Sequence, residues 1–186
     1  TGVQTCALPI SGWGGSCFPK DTRALAALAE AHGVPMPMVT AAIASNERAH
    51  QRIVDLVAAA CAGRLAGSTI ACWGLAFKAN TDDVRDSPAL AVIRRLIDGG
   101  ARVVGHDPAA KVPQFYGFRQ VPSALDSVRE SDALVILTEW PEYAVSDPSA
   151  TLRLMRSPQI VDARRILNPA VWRAAGAQLT VLGGTG

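Results

Sequence analysis

The sequence predicts an α/β chain in which a helical segment precedes a doubly wound parallel sheet. Three observations carry this. Before Ser68, apolar residues recur at helical steps of three and four. After it, short β-prone runs alternate with helical stretches, the pattern of parallel strands joined by right-handed crossovers. One of those runs, Ala133 to Thr138 (ALVILT), is apolar almost throughout, as a strand covered on both faces must be.

Thr1 to Ser11 (TGVQTCALPIS) shows no periodicity and no initial Met. It resembles translated adapter sequence and is expected to be a non-native or disordered leader; an ordinary native loop is the other reading. Residues 12–66 form the second unit. Thr22 to His32 predicts a short helix with Leu25, Leu28 and Ala29 on one face, ended by Gly33. Val34-Pro35-Met36-Pro37 is an extended break, because each proline drives its predecessor from the α region. Met38 to Ala62 then reads as one helix about 37 Å long. Its apolar face either joins two domains, pairs with a second chain or lies in a core.

Residues 67–186 form the sheet domain. Thr69 to Trp73 is a buried strand ending at Gly74, and Leu75 to Asp86 is a polar loop. Ser87-Pro88 supplies the N-cap and first position of a helix to Asp98. Strands follow at Ala101–His106, Gly117–Val121, Ala133–Thr138, Gln159–Asp162 and Gln178–Leu182. Helices are expected at Pro122–Ser131, Pro148–Arg156 and Asn168–Ala175. In such sheets ligands bind at the carboxyl ends of the strands. The rule gathers four loops on one rim: Leu75–Asp86, His106–Ala110, Glu139–Tyr143 and Ala163–Leu167.

Composition narrows the partners. An apolar fraction of 49% among 186 residues is ample for a core, and a charged fraction of 18% argues against bulk disorder. A net charge of +2 exerts no strong pull on nucleic acid or a membrane surface. No apolar run approaches the ~18 residues of a membrane span. Cys6, Cys17, Cys61 and Cys72 form no CxxC pair, which argues against zinc and fits a reduced cytoplasmic compartment.

Two stretches carry chemistry. In Gly14-Gly15-Ser16-Cys17-Phe18-Pro19-Lys20-Asp21, glycines allow a sharp turn and the cysteine precedes a helix start. The helix dipole and Lys20 together favour a thiolate at Cys17; the competing fate is a small buried thiol. The loop after the first strand holds Lys78, Asp82, Asp83 and Arg85. A lysine and an arginine suit phosphate, and the Ser87-Pro88 helix start offers free N–H groups. A merely solvated loop is the bland alternative. One glycine, Gly74, is no GxGxxG fingerprint. His32 and His50 read as surface residues, His106 as a strand-end residue near a ligand, and Trp73 and Trp140 as core or rim.

The two stretches together resemble the UDP-glucose/GDP-mannose dehydrogenase family. Gly12-Trp13-Gly14-Gly15-Ser16-Cys17-Phe18-Pro19-Lys20-Asp21 is similar to its catalytic cysteine loop. Gly74 to Pro88 (GLAFKANTDDVRDSP) is similar to the signature loop of its nucleotide-sugar domain, and Asn46-Glu47-Arg48 lies in a helix similar to its dimerisation helix. The wording around the cysteine is closest to the UDP-glucose branch. The resemblance implies a Rossmann-like sheet, NAD as cofactor and a homodimer formed through the 38–62 helix. It implies oxidation of UDP-glucose to UDP-glucuronate through a thiohemiacetal and a thioester on Cys17, with Asp21 assisting catalysis. Lys20 and Arg85 would meet NAD; Gly14, Phe77, Lys78 and Arg164 would meet the nucleotide sugar. The family's N-terminal NAD domain is missing from these residues, so the chain is expected to be inactive alone. A non-catalytic nucleotide-sugar-binding and dimerisation module, and a GDP-mannose dehydrogenase fragment, are the competing readings.

Overall fold

The computed structural model describes residues 11–184. The leader reading, apart from Ser11, and Cys6 lie outside the described residues. Two helices, α1 (Phe18–Ala31) and α2 (Pro37–Ala60), lead into a sheet of β1 (Thr69–Trp73), β2 (Arg102–His106), β3 (Phe118–Gln120), β4 (Ala133–Ile136), β5 (Gln159–Asp162) and β6 (Gln178–Val181). Five further helices connect the strands: α3 (Pro88–Asp98), α4 (Ala124–Ser127), α5 (Pro141–Ala144), α6 (Pro148–Leu154) and α7 (Pro169–Ala174). All strands are parallel, in the order β3-β2-β1-β4-β5-β6. This is the doubly wound Rossmann arrangement, with its switch point between β1 and β4.

Alternation along β1 shows why both faces are covered. Ile70 and Cys72 face Ile53 and Val57 of α2 and Val92, Ile93 and Leu96 of α3. Ala71 and Trp73 face the opposite layer, with Leu134, Tyr143 and Trp172. Successive strand residues point to opposite faces, so each apolar run feeds two cores.

The helical segment differs from expectation in three ways. α1 begins at Phe18 rather than Thr22, because Pro19 is pre-set for a first turn and Asp21 suits the positive end. Leu25 and Leu28, which share one predicted face, are exposed, so that face is not covered by the described residues. Only the C-terminal half of α2 enters the core: Ile53 and Val57 are fully buried, whereas Met38 is 85% exposed. The Gly33 stop holds: Val34 N–H donates to Ala29 at 2.9 Å and Gly33 N–H to Glu30 at 3.0 Å, with Gly33 at φ +67.

Candidate functional site

The loop 11–17 crosses the carboxyl ends of the strands and is fastened at four points. Asn46 of α2 holds Trp13: its Oδ1 accepts from Trp13 N–H at 2.7 Å and its Nδ2 donates to Trp13 C=O at 3.1 Å. Gly14 packs against Asp86 and Pro88 so closely that a Cβ there would meet the Asp86 carbonyl and lie 2.9 Å from Pro88 Cγ. Gly15, at φ +95, lies under the Phe77 ring, 3.1 Å from where a Cβ would stand. Ser11 Oγ accepts from Arg164 Nη1 at 2.5 Å. The α3 start is therefore not an open anion site: Ser87 Oγ caps Leu90 N–H and donates to Leu75 C=O at 2.7 Å, and Gly14 covers it.

Cys17 sits directly before α1 and is exposed, with Ser16 Oγ 3.6 Å from Sγ. Asp21 lies one helical turn on and donates its backbone N–H to Cys17 C=O at 2.9 Å. Lys20 and Asp21 are paired to each other at the surface. The Asp21 carboxylate holds the Lys20 ammonium above its ordinary range, and Cys17 adds a smaller push in the same direction. Arg85 forks onto Asp83, with Nε 2.9 Å from Oδ1 and Nη2 2.7 Å from Oδ2. That pairing holds Asp83 down at about 2 and raises Arg85, to which Cys17 again contributes a smaller push. Cys17 is thus within electrostatic reach of both Lys20 and Arg85. Lys20 and Arg85, with Trp13 and Asn46, line a cleft of about 990 Å³ between the two helices and the β1 loop. Ser16 is in its wall; Cys17 is not among its lining residues.

Phe77, Lys78 and Arg164 gather on the other side of the loop, at the switch point. Lys78 Nζ rests 5.4 Å from the Phe77 ring centroid, a cation–π contact. Gly74, at φ +93, leaves no room for a Cβ beside Thr138, whose backbone N would lie 2.5 Å away. Thr138 Oγ1 donates to Ala76 C=O at 2.7 Å. Glu139 joins the two loops, accepting from Ala79 N–H at 3.5 Å and from Arg164 Nε at 2.7 Å.

Several residues of the site were not singled out from sequence. Asp107 ends β2, where related folds place a ribose-binding acid. Here its carboxylate is consumed internally by Leu75, Ala76, Ala109 and Ala110 N–H groups at 2.7–3.0 Å. Trp140 Nε1 also donates to it, at 3.2 Å, and Trp73 is wholly buried, so both tryptophans are core and rim. His106, expected beside a ligand, is buried and tied to Tyr143, whose Oη lies 3.0 Å from His106 Nδ1 and carbonyl oxygen. His50, expected at the surface, is 4% exposed, lines the cleft and has no hydrogen-bond partner among the described residues on either ring nitrogen. The helical spacing of His50 with Ile53, Val54 and Val57 was the available signal.

The fold and this rim define a doubly wound α/β protein in which a loop ending at an exposed cysteine packs on the loop after β1. Comparison with known proteins narrows this. Residues 71–169 match the UDP-binding domain of the UDP-glucose/GDP-mannose dehydrogenase family, and residues 2–48 match that family's central domain. A UDP-glucose 6-dehydrogenase of Rhizobium meliloti is 44% identical over 162 residues, covering 83% of this chain and 36% of that protein. A UDP-glucose dehydrogenase of Pyrobaculum islandicum superposes with a TM-score of 0.75 at 34% identity, over 92% of this chain and 38% of that one. A UDP-D-ManNAc dehydrogenase of Pyrococcus horikoshii gives a TM-score of 0.77 at 28% identity, over 93% of this chain and 39% of that one. The chain belongs to the UDP-glucose/GDP-mannose dehydrogenase family. It spans little more than a third of the length of these relatives.

Proposed function

We propose that this chain supplies the nucleophile and the nucleotide-sugar side of an NAD-dependent oxidoreductase that converts UDP-glucose to UDP-glucuronate. The supporting observation is the docking of the Cys17 loop onto the Phe77–Arg85 loop through Gly14, Gly15 and Asp86. That contact sets a nucleophile beside the loops that would hold a uridine diphosphate. Phe77 and Lys78 would grip the nucleotide sugar, Arg164 would approach it from β5, and Gly14 would let backbone come close.

Cys17 acts at the aldehyde level of C6. Its thiolate adds through Sγ to the carbonyl carbon while the oxygen takes up a proton, giving a thiohemiacetal. Loss of a hydride from that carbon and a proton from its hydroxyl leaves a thioester on Cys17. Water then adds to the acyl carbon, the C–S bond breaks, and sulfur leaves as thiolate with the carboxylate formed. Asp21, one turn along α1, orients the water and moves protons. Two NAD molecules, bound in turn, would each supply an acceptor for one hydride, the first lost at the alcohol level and the second from the thiohemiacetal carbon. The two cations Lys20 and Arg85 share the wall of one cleft and fit a pyrophosphate-bearing ligand there.

The 186 residues contain no GxGxxG run, and the chain alone is proposed not to turn over UDP-glucose. A second copy would cover Leu25, Leu28 and Met38, apolar residues left exposed on α1 and the start of α2. A reduced, cytoplasmic setting suits the unpaired thiols of the described cysteines Cys17, Cys61 and Cys72.

The test is protection of a thiol. UDP-glucose is expected to slow alkylation of Cys17, followed by peptide mass mapping, and glucose alone is not. Equal alkylation rates with and without UDP-glucose contradict the reading.

A further inference from the structure

Glu139 follows β4, at the switch point with β1, and touches two of the loops assigned above to the nucleotide sugar. Its Oε2 accepts from Arg164 Nε at 2.7 Å and from Nη2. Its Oε1 faces Ala79 N–H at 3.5 Å, one residue past Lys78. Arg164 is held from two further sides: its N–H donates to Asp162 Oδ1 at 2.9 Å, and Nη1 donates to Ser11 Oγ at 2.5 Å. The Arg164 side chain is 15% exposed and that of Glu139 37%, so the arginine end of the pair is sheltered while the carboxylate is partly open to solvent screening.

An unpaired carboxylate here would repel a phosphate. Paired to Arg164 it adds little net charge, and what it contributes is direction. A guanidinium has five N–H donors in a rigid plane. Among the described residues, Glu139 and Ser11 take three of them, which leaves one N–H on each terminal nitrogen for a ligand. Without Glu139 the guanidinium would be held by Ser11 alone, and the Phe77–Ala79 segment would lose its tie to Arg164.

We infer that Glu139 is a positioning residue for the nucleotide-sugar site: it fixes the direction of Arg164 and the spacing between Arg164 and the Phe77–Lys78 pair. It acts through Arg164 and touches no reacting atom. The inference rests on the reading that Arg164, Phe77 and Lys78 meet the nucleotide sugar.

A double-mutant cycle tests it, with UDP affinity measured by calorimetry on the 186-residue chain. Glu139→Gln keeps the shape and removes the charge. It is expected to weaken UDP binding about tenfold while thermal denaturation stays close to the parent, because contacting residues couple strongly. In an Arg164→Ala background the same change is expected to have no further effect, which a general loosening of the fold would not reproduce. Glu139→Asp keeps the charge on a shorter arm and gives an intermediate loss; it also serves if Glu139→Gln folds poorly. Undiminished binding in Glu139→Gln, or the same loss with and without Arg164, overturns the positioning role and leaves the nucleotide-sugar reading standing. A parent chain that does not bind UDP overturns that reading and this inference with it.

Discussion

Asn46 and Trp13, 33 residues apart, are joined as two strands would be: one side-chain amide accepts the Trp13 N–H and donates to the Trp13 carbonyl. The amide is buried and fixes the approach of the cysteine loop to α2. Asn46→Ala is expected to cost about 1–3 kcal/mol, since it leaves Trp13 polar groups unpaired beside a helix. Hydrogen exchange should rise first at residues 12–17 and not in β1 or β4. Uniform loss of protection across the sheet would count against a local latch.

The strands were legible because their information is local. Ile70 and Cys72 alternate with Ala71 and Trp73, and Pro88 and Gly99 bracket a helix of the right length. The site was legible only in part. Cys17, Lys78 and Arg85 stand in short recognisable runs. Asp107 and Glu139 do not, and the run holding Asn46 does not reveal its partner, since each also or solely reaches groups 25 or more residues away: Trp13 for Asn46, Leu75 N–H for Asp107 and Arg164 for Glu139. The 38–62 stretch was undecided for a related reason. Helical spacing shows that a face is apolar without showing what covers it, and here the core takes Ile53 and Val57 but not Met38.

His50 makes stability depend on pH. Burial pushes its imidazole below the ordinary 6.5; Glu47 pulls it up and Arg95 pushes it down to smaller extents. The unfolded chain therefore binds more protons in the window beneath 6.5. Stability is complete above that value and is lost as pH falls through the folded value. His106 shifts in the same direction, chiefly by burial. Denaturant midpoints should fall between about pH 7.5 and about pH 5, and His50→Leu should fall less. At about pH 7.5 His50→Leu should match or exceed the parent, because the lost ring nitrogens have no partners among the described residues. A variant with the parent's full acid sensitivity would assign the effect elsewhere.

Gly14→Ala should undock the two signature loops. The added methyl would press on the Asp86 carbonyl and the Pro88 ring. A loss of about 1–3 kcal/mol is expected for such overpacking. Limited proteolysis should report it as faster cleavage within residues 11–21. An unchanged cleavage pattern would mean that the loop adapts without leaving Asp86.

Thiol accessibility orders the described cysteines. Cys17 is exposed, Cys61 is half-buried with its thiol raised by burial, and Cys72 is sealed in the core with its thiol pushed far up by burial. Iodoacetamide should modify Cys17 first and Cys72 only on unfolding. Modification of Cys72 at the Cys17 rate would contradict the core described here.

Calorimetric titration of the chain with UDP and with GDP tests the central claim most directly. A one-to-one complex with UDP that is weakened by Lys78→Ala, with GDP bound less tightly, is the result predicted. No binding of UDP, or binding of GDP at equal or higher affinity, would contradict a uridine-diphosphate site built on Phe77, Lys78 and Arg164.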